Sequence, residues 1–298
     1  QTRSKNDESD RTLERKQKPS LSFEIFPART PKGMENLARV IDELITLEPD
    51  FFSVTFGAGG STREGSLDLL KKLRQEKGLD VIAYFAGYGL GPEEIVAVLD
   101  KDRETGVENV LVVRGDPPQE EGFLPHPASF PHASDLIAFL RPRYDFCMGV
   151  AGYPEGHREA PNRETDLEHL KRKVDLGAEY IITNYVYDNR FFFDFLDRCR
   201  SRKVNLPILP GVMPIYNIKM MDMLAEICGA TIPSELRKGI EALPENDKEA
   251  LAAFGIEFAI AQCRELLQAG VPGIHIYSMD RSDSAVKIVQ ALKKEKLL

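Results

Sequence analysis

The chain has 298 residues, of which 42% are hydrophobic and 29% charged, with a formal net charge of -8. This is the composition of a globular protein with room for one large domain, and its acidic balance argues against nucleic acid as a partner, because such binding rests on surplus Lys and Arg. No apolar run reaches the roughly 18 residues of a membrane span and no secretion-signal pattern opens the chain, so we expect a cytoplasmic protein that acts on small molecules, away from membranes.

Residues 1–19 carry almost no apolar content and mixed charges, and read as a flexible tail; residues 20–298 read as the folded domain. In that domain short apolar runs alternate with stretches of helical periodicity. Strands are predicted at 22–27, 51–57, 80–87, 109–115, 145–153, 180–187, 207–213 and 273–279. Continuous apolar runs suit strands covered on both faces, and helical crossovers imply parallel pairing. Helices are predicted at 34–47, 62–75, 91–104, 132–144, 163–177 and 190–202, with a longer helical region over 217–269. Eight such units predict a single-domain (β/α)8 barrel of the α/β class with an extra helical insertion before the eighth strand. An open doubly wound sheet would usually carry a glycine fingerprint after its first strand, and SFEIFPART has none. Cys147, Cys199, Cys228 and Cys263 lack metal-ligand spacing and read as free thiols.

In such a barrel the C-terminal strand ends build the active site, so they can be taken together. Glu24 interrupts an apolar run on the first strand. Burial would raise its pKa and suit it to general-acid work, while pairing with an Arg inside the barrel is an equal alternative. The second strand runs into Thr55-Phe56-Gly57-Ala58-Gly59-Gly60, a glycine-rich turn that could approach a ligand or could be a simple turn. The fourth strand supplies Arg114, Gly115 and Asp116, with Asp116 suited to a bidentate donor and Arg114 to a carbonyl or phosphate. The fifth ends at Tyr153 and His157, followed by Asp166, His169, Lys171, Arg172 and Lys173, which form either a solvated helix face or a diphosphate anchor. Asn184 and Asp188 end the sixth strand, and Tyr277, Asp280 and Arg281 the eighth. No zinc-ligand set, nucleophile elbow or phosphate-binding loop is present, and an acid with recognition groups but no nucleophile suits cofactor chemistry.

SFEIFPART, FFSVTFGAGGST, VLVVRGDPP, GYPEGHREA, DLEHLKRKVDLGAEYIITN, PILPGVMPI and GIHIYSMDR, in that order, resemble the methylenetetrahydrofolate reductase family. The resemblance implies noncovalent FAD and a ping-pong cycle: NADH or NADPH reduces the flavin, which then reduces 5,10-methylenetetrahydrofolate to 5-methyltetrahydrofolate. It implies Glu24 as the acid that protonates the folate nitrogen and Asp116 as the carboxylate that holds the pterin near the flavin. Flavin contacts are implied at Thr55, Phe56, Ala58, Tyr84, Arg114, Gly115, Asp116, Ala133, Tyr153, His157, Ala160, Asp166, His169, Arg172 and Lys173. Substrate contacts are implied at Glu24, Asp116, Asn184, Met220, Leu224 and Arg281, and a homo-oligomer is expected. Four positions depart from the family pattern. Tyr84 replaces a flavin-contacting histidine and Asn184 a glutamine, while Met220 and Leu224 stand where glutamine and phenylalanine are common. These departures leave open a paralogous flavin reductase acting on a modified folate or other one-carbon carrier, and a non-catalytic folate- or flavin-binding subunit.

Overall fold

A computed structural model describes residues 18–56, 63–117 and 122–298. Eight parallel strands close into a barrel in chain order: β1 (Ser20–Ile25), β2 (Phe51–Val54), β3 (Val81–Ala86), β4 (Asn109–Val113), β5 (Cys147–Gly152), β6 (Tyr180–Tyr185), β7 (Ile208–Val212) and β8 (Gly273–Tyr277). Every predicted run contains one of these strands or overlaps it. The charged segment expected as a tail falls outside the described residues apart from Lys18 and Pro19, as does the glycine-rich turn from Gly57, with Ala58, to Thr62.

Helices separate the strands: α1 (Pro31–Ile45), α2 (Arg63–Lys71, continuing as a π turn over Lys72–Glu76), α3 (Pro92–Glu104), α4 (Ala133–Leu140), α5 (Arg163–Asp175) and α6 (Asn189–Ser201). Local chemistry fixes their starts. Thr30 accepts a hydrogen bond from Gly33 N at 3.1 Å and Pro31 opens α1, while Glu94 reaches back to Gly91 N at 2.8 Å to close the first turn of α3. The helical region before β8 divides into α7 (Ile218–Cys228), α8 (Ser234–Glu241) and α9 (Lys248–Gln268). Gly229 ends α7 in the left-handed conformation, with φ 70°, and Asp247 caps α9 by accepting from Glu249 N and Ala250 N. A last amphipathic helix, α10 (Asp283–Lys294), buries Ala285, Ile288, Val289 and Leu292 against the barrel; the sequence reading had not included it. None of the described helices is long and apolar enough to cross a membrane. All four cysteines are free.

Strand alternation sorts each strand into two faces. Phe23 and Ile25 of β1 are fully buried under the helices, whereas Ser22 and Glu24 belong to the barrel interior. The interior is filled by Ile82, Leu111, Tyr180 and Ile182, with Phe51, Tyr84, Val113 and Cys147 packed against them. The large rings cross the barrel because glycines face them: a Cβ on Gly149 would lie 2.0 Å from the Tyr180 ring, and one on Gly211 2.5 Å from the Tyr277 ring. The barrel is a packed core that opens at the C-terminal strand ends.

Candidate active site

Glu24 is 5% exposed, and the barrel register sets Ser53 and Tyr277 beside it on β2 and β8. Among the described residues no ion pair reaches its carboxyl, so the arginine-paired alternative does not hold. The Tyr84 hydroxyl lies beside it. Burial pushes the Glu24 pKa from 4.5 up to about 7; the Tyr84 hydrogen bond pulls it down, and the nearby Asp280 carboxyl pushes it up again. Ser278 Oγ donates to the Glu24 carbonyl at 2.6 Å and Asp280 Oδ1 accepts from Phe26 N at 3.0 Å, which ties the ends of β1 and β8 together. Met279 and Asp280 both adopt positive φ, at 50° and 53°, where the chain turns sharply around this site.

On the far side of the mouth a cleft of about 260 Å³ opens between the ends of β4 and β5. Nine of the expected cofactor residues line it together: Arg114, Ala133, Tyr153, His157, Ala160, Asp166, His169, Arg172 and Lys173. Three polar positions that the sequence did not single out join them, along with the apolar Val112, Val113 and Ala151. His132 and Ser134 flank Ala133 at the start of α4, and Glu159 makes a bidentate pair with Arg114 at 2.6 and 2.9 Å. Their signals were present in the sequence, a histidine before a helix start and an acid two residues beyond His157, but neither is distinctive alone. Lys173 Nζ donates to Ala151 O at 3.0 Å, and burial lowers its pKa to about 8 despite the Asp166 carboxylate. Burial also raises the Asp166 pKa and lowers that of His157, whose ring stands edge-on to Tyr153 at 4.7 Å.

The other expected residues lie outside this cleft. Thr55 and Phe56 follow β2, with the Phe56 ring 5.7 Å from Phe85. Gly115 takes φ 84° where a Cβ would meet Ala86 at 2.9 Å, a close approach that only glycine tolerates, and it turns the chain so that Asp116 is exposed. Asn184 ends β6 with its amide occupied, donating to Cys228 O at 3.5 Å and accepting from Tyr185 N at 3.0 Å. Met220 and Leu224 lie on α7, and the Arg281 guanidinium sits 5.3 Å from the Tyr216 ring centre. Asp188 caps α6 and pairs with Arg190.

The methylenetetrahydrofolate reductase family model matches residues 9–293. The chain belongs to that family. It is 36% identical over 285 residues to methylenetetrahydrofolate reductase (NADH) 1 of Arabidopsis thaliana, covering 92% of this chain and 48% of the plant protein. With 5,10-methylenetetrahydrofolate reductase of Escherichia coli it shares 32% over 273 residues, 92% of this chain and 90% of the bacterial protein. The family member described here thus spans about half the length of its plant relatives and nearly all of the bacterial one. Among solved structures, a Clostridium thermocellum protein described as binding two copies of 5-methyl-5,6,7,8-tetrahydrofolic acid shares the fold at TM-score 0.64 and 17% identity, over 97% of this chain and 98% of that one.

Proposed function

We propose that the protein reduces 5,10-methylenetetrahydrofolate to 5-methyltetrahydrofolate with NADH or NADPH through noncovalently bound FAD. The observation that carries this reading is Glu24, a buried carboxyl with no ion-pair partner among the described residues, whose pKa burial raises to about 7. A binding protein gains nothing from such a group, whereas an acid that must protonate a folate nitrogen near neutrality needs it.

The β4–β5 cleft fits one part of FAD. Arg114, Arg172, Lys173 and three histidines, 132, 157 and 169, surround it, and the first turn of α4 adds backbone N–H groups, a donor set suited to a diphosphate. Its volume lies below that of cavities enclosing whole drug-sized ligands, so the ring system would extend toward the ends of β2 and β4, which Thr55, Phe56, Gly115 and Asp116 follow. Bound flavin would supply the hydride relay between nicotinamide and folate. Asp116 holds the pterin by accepting from its amino-pyrimidine edge, and Arg281 with Asn184, Met220 and Leu224 lines the approach of folate and nicotinamide. Glu24 gives its proton to the folate nitrogen and so opens the five-membered ring for reduction.

Anaerobic titration of the purified protein, first with NADH and then with methylenetetrahydrofolate, tests all three ligands through flavin absorbance. Bleaching by the first and recovery with the second are expected. A protein without flavin that takes up none when FAD is added overturns the proposal.

A further inference from the structure

Behind Glu24 the barrel interior holds a run of polar side chains in an otherwise apolar core. Tyr84 on β3 packs in this interior, with its hydroxyl toward Glu24 on β1 and Ser53 on β2, which are themselves register partners. Ser53 Oγ lies 3.2 Å from His275 Nε2 on β8, and His275 Nδ1 lies 2.8 Å from Ser22 Oγ, which returns the run to β1 two residues before Glu24. Ser22, Ser53 and His275 are each 0% exposed. Buried polar groups of this kind cost stability unless each finds a partner, and here every one does.

From this geometry we infer that Tyr84 is a positioning residue for Glu24, held in place by the Ser53–His275–Ser22 chain, and that the chain sets where the acid points and when it releases its proton. The inference rests on Glu24 as the acid of the reading above. Burial keeps His275 neutral, with its pKa pushed down to about 3, so the chain carries orientation and no charge. With the proton on His275 Nε2, the hydrogens run one way. Ser22 then gives its one proton to Nδ1 at 2.8 Å in preference to Ile274 O at 3.3 Å, Nε2 donates to Ser53, Ser53 donates to the Tyr84 oxygen, and the Tyr84 hydroxyl is left for Glu24. A phenol that already accepts one hydrogen bond is a stronger donor, so Ser53 acts on Glu24 through Tyr84. The ionisable groups facing the carboxyl are Tyr84 from β3, Tyr277 from β8 and Asp280 from the turn after β8. Of these only Tyr84 stabilises the ionised form by a hydrogen bond. Tyr84 is absent from the lining of the β4–β5 cleft and packs in the barrel interior on the side of the acid.

The test follows Glu24 itself in the purified protein, without substrate. Its protonated carboxyl is tracked against pH by infrared difference spectroscopy, with the band identified by its loss in Glu24→Gln. Tyr84→Phe is expected to move the midpoint up by about one pH unit, the size of a lost hydrogen bond to a charge. Ser53→Ala is expected to move it up by less, and to add nothing when Tyr84 is already Phe. The alkaline limb of folate reduction should move with the midpoint in both variants. An unchanged midpoint in Tyr84→Phe overturns the positioning role, and a Ser53→Ala shift that survives in the double variant overturns the chain. Should either variant fail to fold, the unsubstituted protein with tyrosine labelled at Cζ decides by nuclear magnetic resonance. One tyrosine signal must move with the Glu24 midpoint and stay still in Glu24→Gln, and no such signal overturns the inference. The infrared and nuclear magnetic resonance readouts need no folate turnover, so a wrong substrate and a wrong chain give different results.

Discussion

Replacing Glu24 by Gln should make the protein more stable while removing its acid. In the folded chain the carboxyl titrates at about 7 against an ordinary 4.5, which corresponds to about 3 kcal/mol of preference for the neutral form. The folded-state pKa is the higher one. The contribution is therefore complete below about pH 4.5 and is lost as the pH rises through about 7. Gln keeps the shape and a carbonyl that accepts from Tyr84 but never ionises, so the advantage of Glu24→Gln over the parent should grow with pH and level off near 3 kcal/mol above about pH 8. Urea unfolding of both cofactor-free proteins at a series of pH values reads this directly, because other titrating groups cancel in the difference. A difference that stays flat between about pH 5 and about pH 8.5, or that falls, would refute the claim that burial without a cation controls Glu24.

Asp102 allows the same reasoning away from the site. It is 6% exposed in the last turn of α3, where the helix dipole also disfavours an anion, and burial raises its pKa from 3.8 to about 7. Asp102→Asn should stabilise the protein by about 2–4 kcal/mol at pH 8, lose that gain below about pH 4, and leave turnover intact; equal unfolding midpoints at pH 8 would contradict this. Lys173 should hold its charge below about pH 8, so FAD affinity should decline above that pH, and Lys173→Met should weaken binding about tenfold at pH 7, measured by quenching of flavin fluorescence. Gly149→Ala would drive a methyl group to 2.0 Å from the Tyr180 ring, whose hydroxyl is fixed on Val110 O at 2.9 Å, and should cost about 1–3 kcal/mol in urea unfolding.

The strands were legible because each is covered on both faces and leaves an uninterrupted apolar run. Their ends were less so: the run predicted from 51 to 57 leaves the ladder after Val54, and the one predicted from 145 enters it only at Cys147. Composition does not say where a ladder loses its partner. The helical region over 217–269 divides at Gly229 and before Asp247, both ordinary stop and start signals within a stretch of continuous periodicity. Most of the cleft could be anticipated because its residues are clustered on two neighbouring strand ends. The Ser22–His275–Ser53 chain could not. A serine or histidine in an apolar strand has no distinctive spacing, and these meet only because barrel closure sets Ser22 beside His275, 253 residues away. Tyr84 read as a departure from the family pattern, and only the fold gives that departure a partner.

The ring-filled interior bears on kinetics as well as packing. With Tyr180, Ile182 and Leu111 closing the barrel from within, the mouth is the route by which ligands reach Glu24. In the proposed reaction, nicotinamide and folate then share one entrance and take turns in it. An excess of either should slow the enzyme by occupying the form that awaits the other, and the two substrates should inhibit each other competitively.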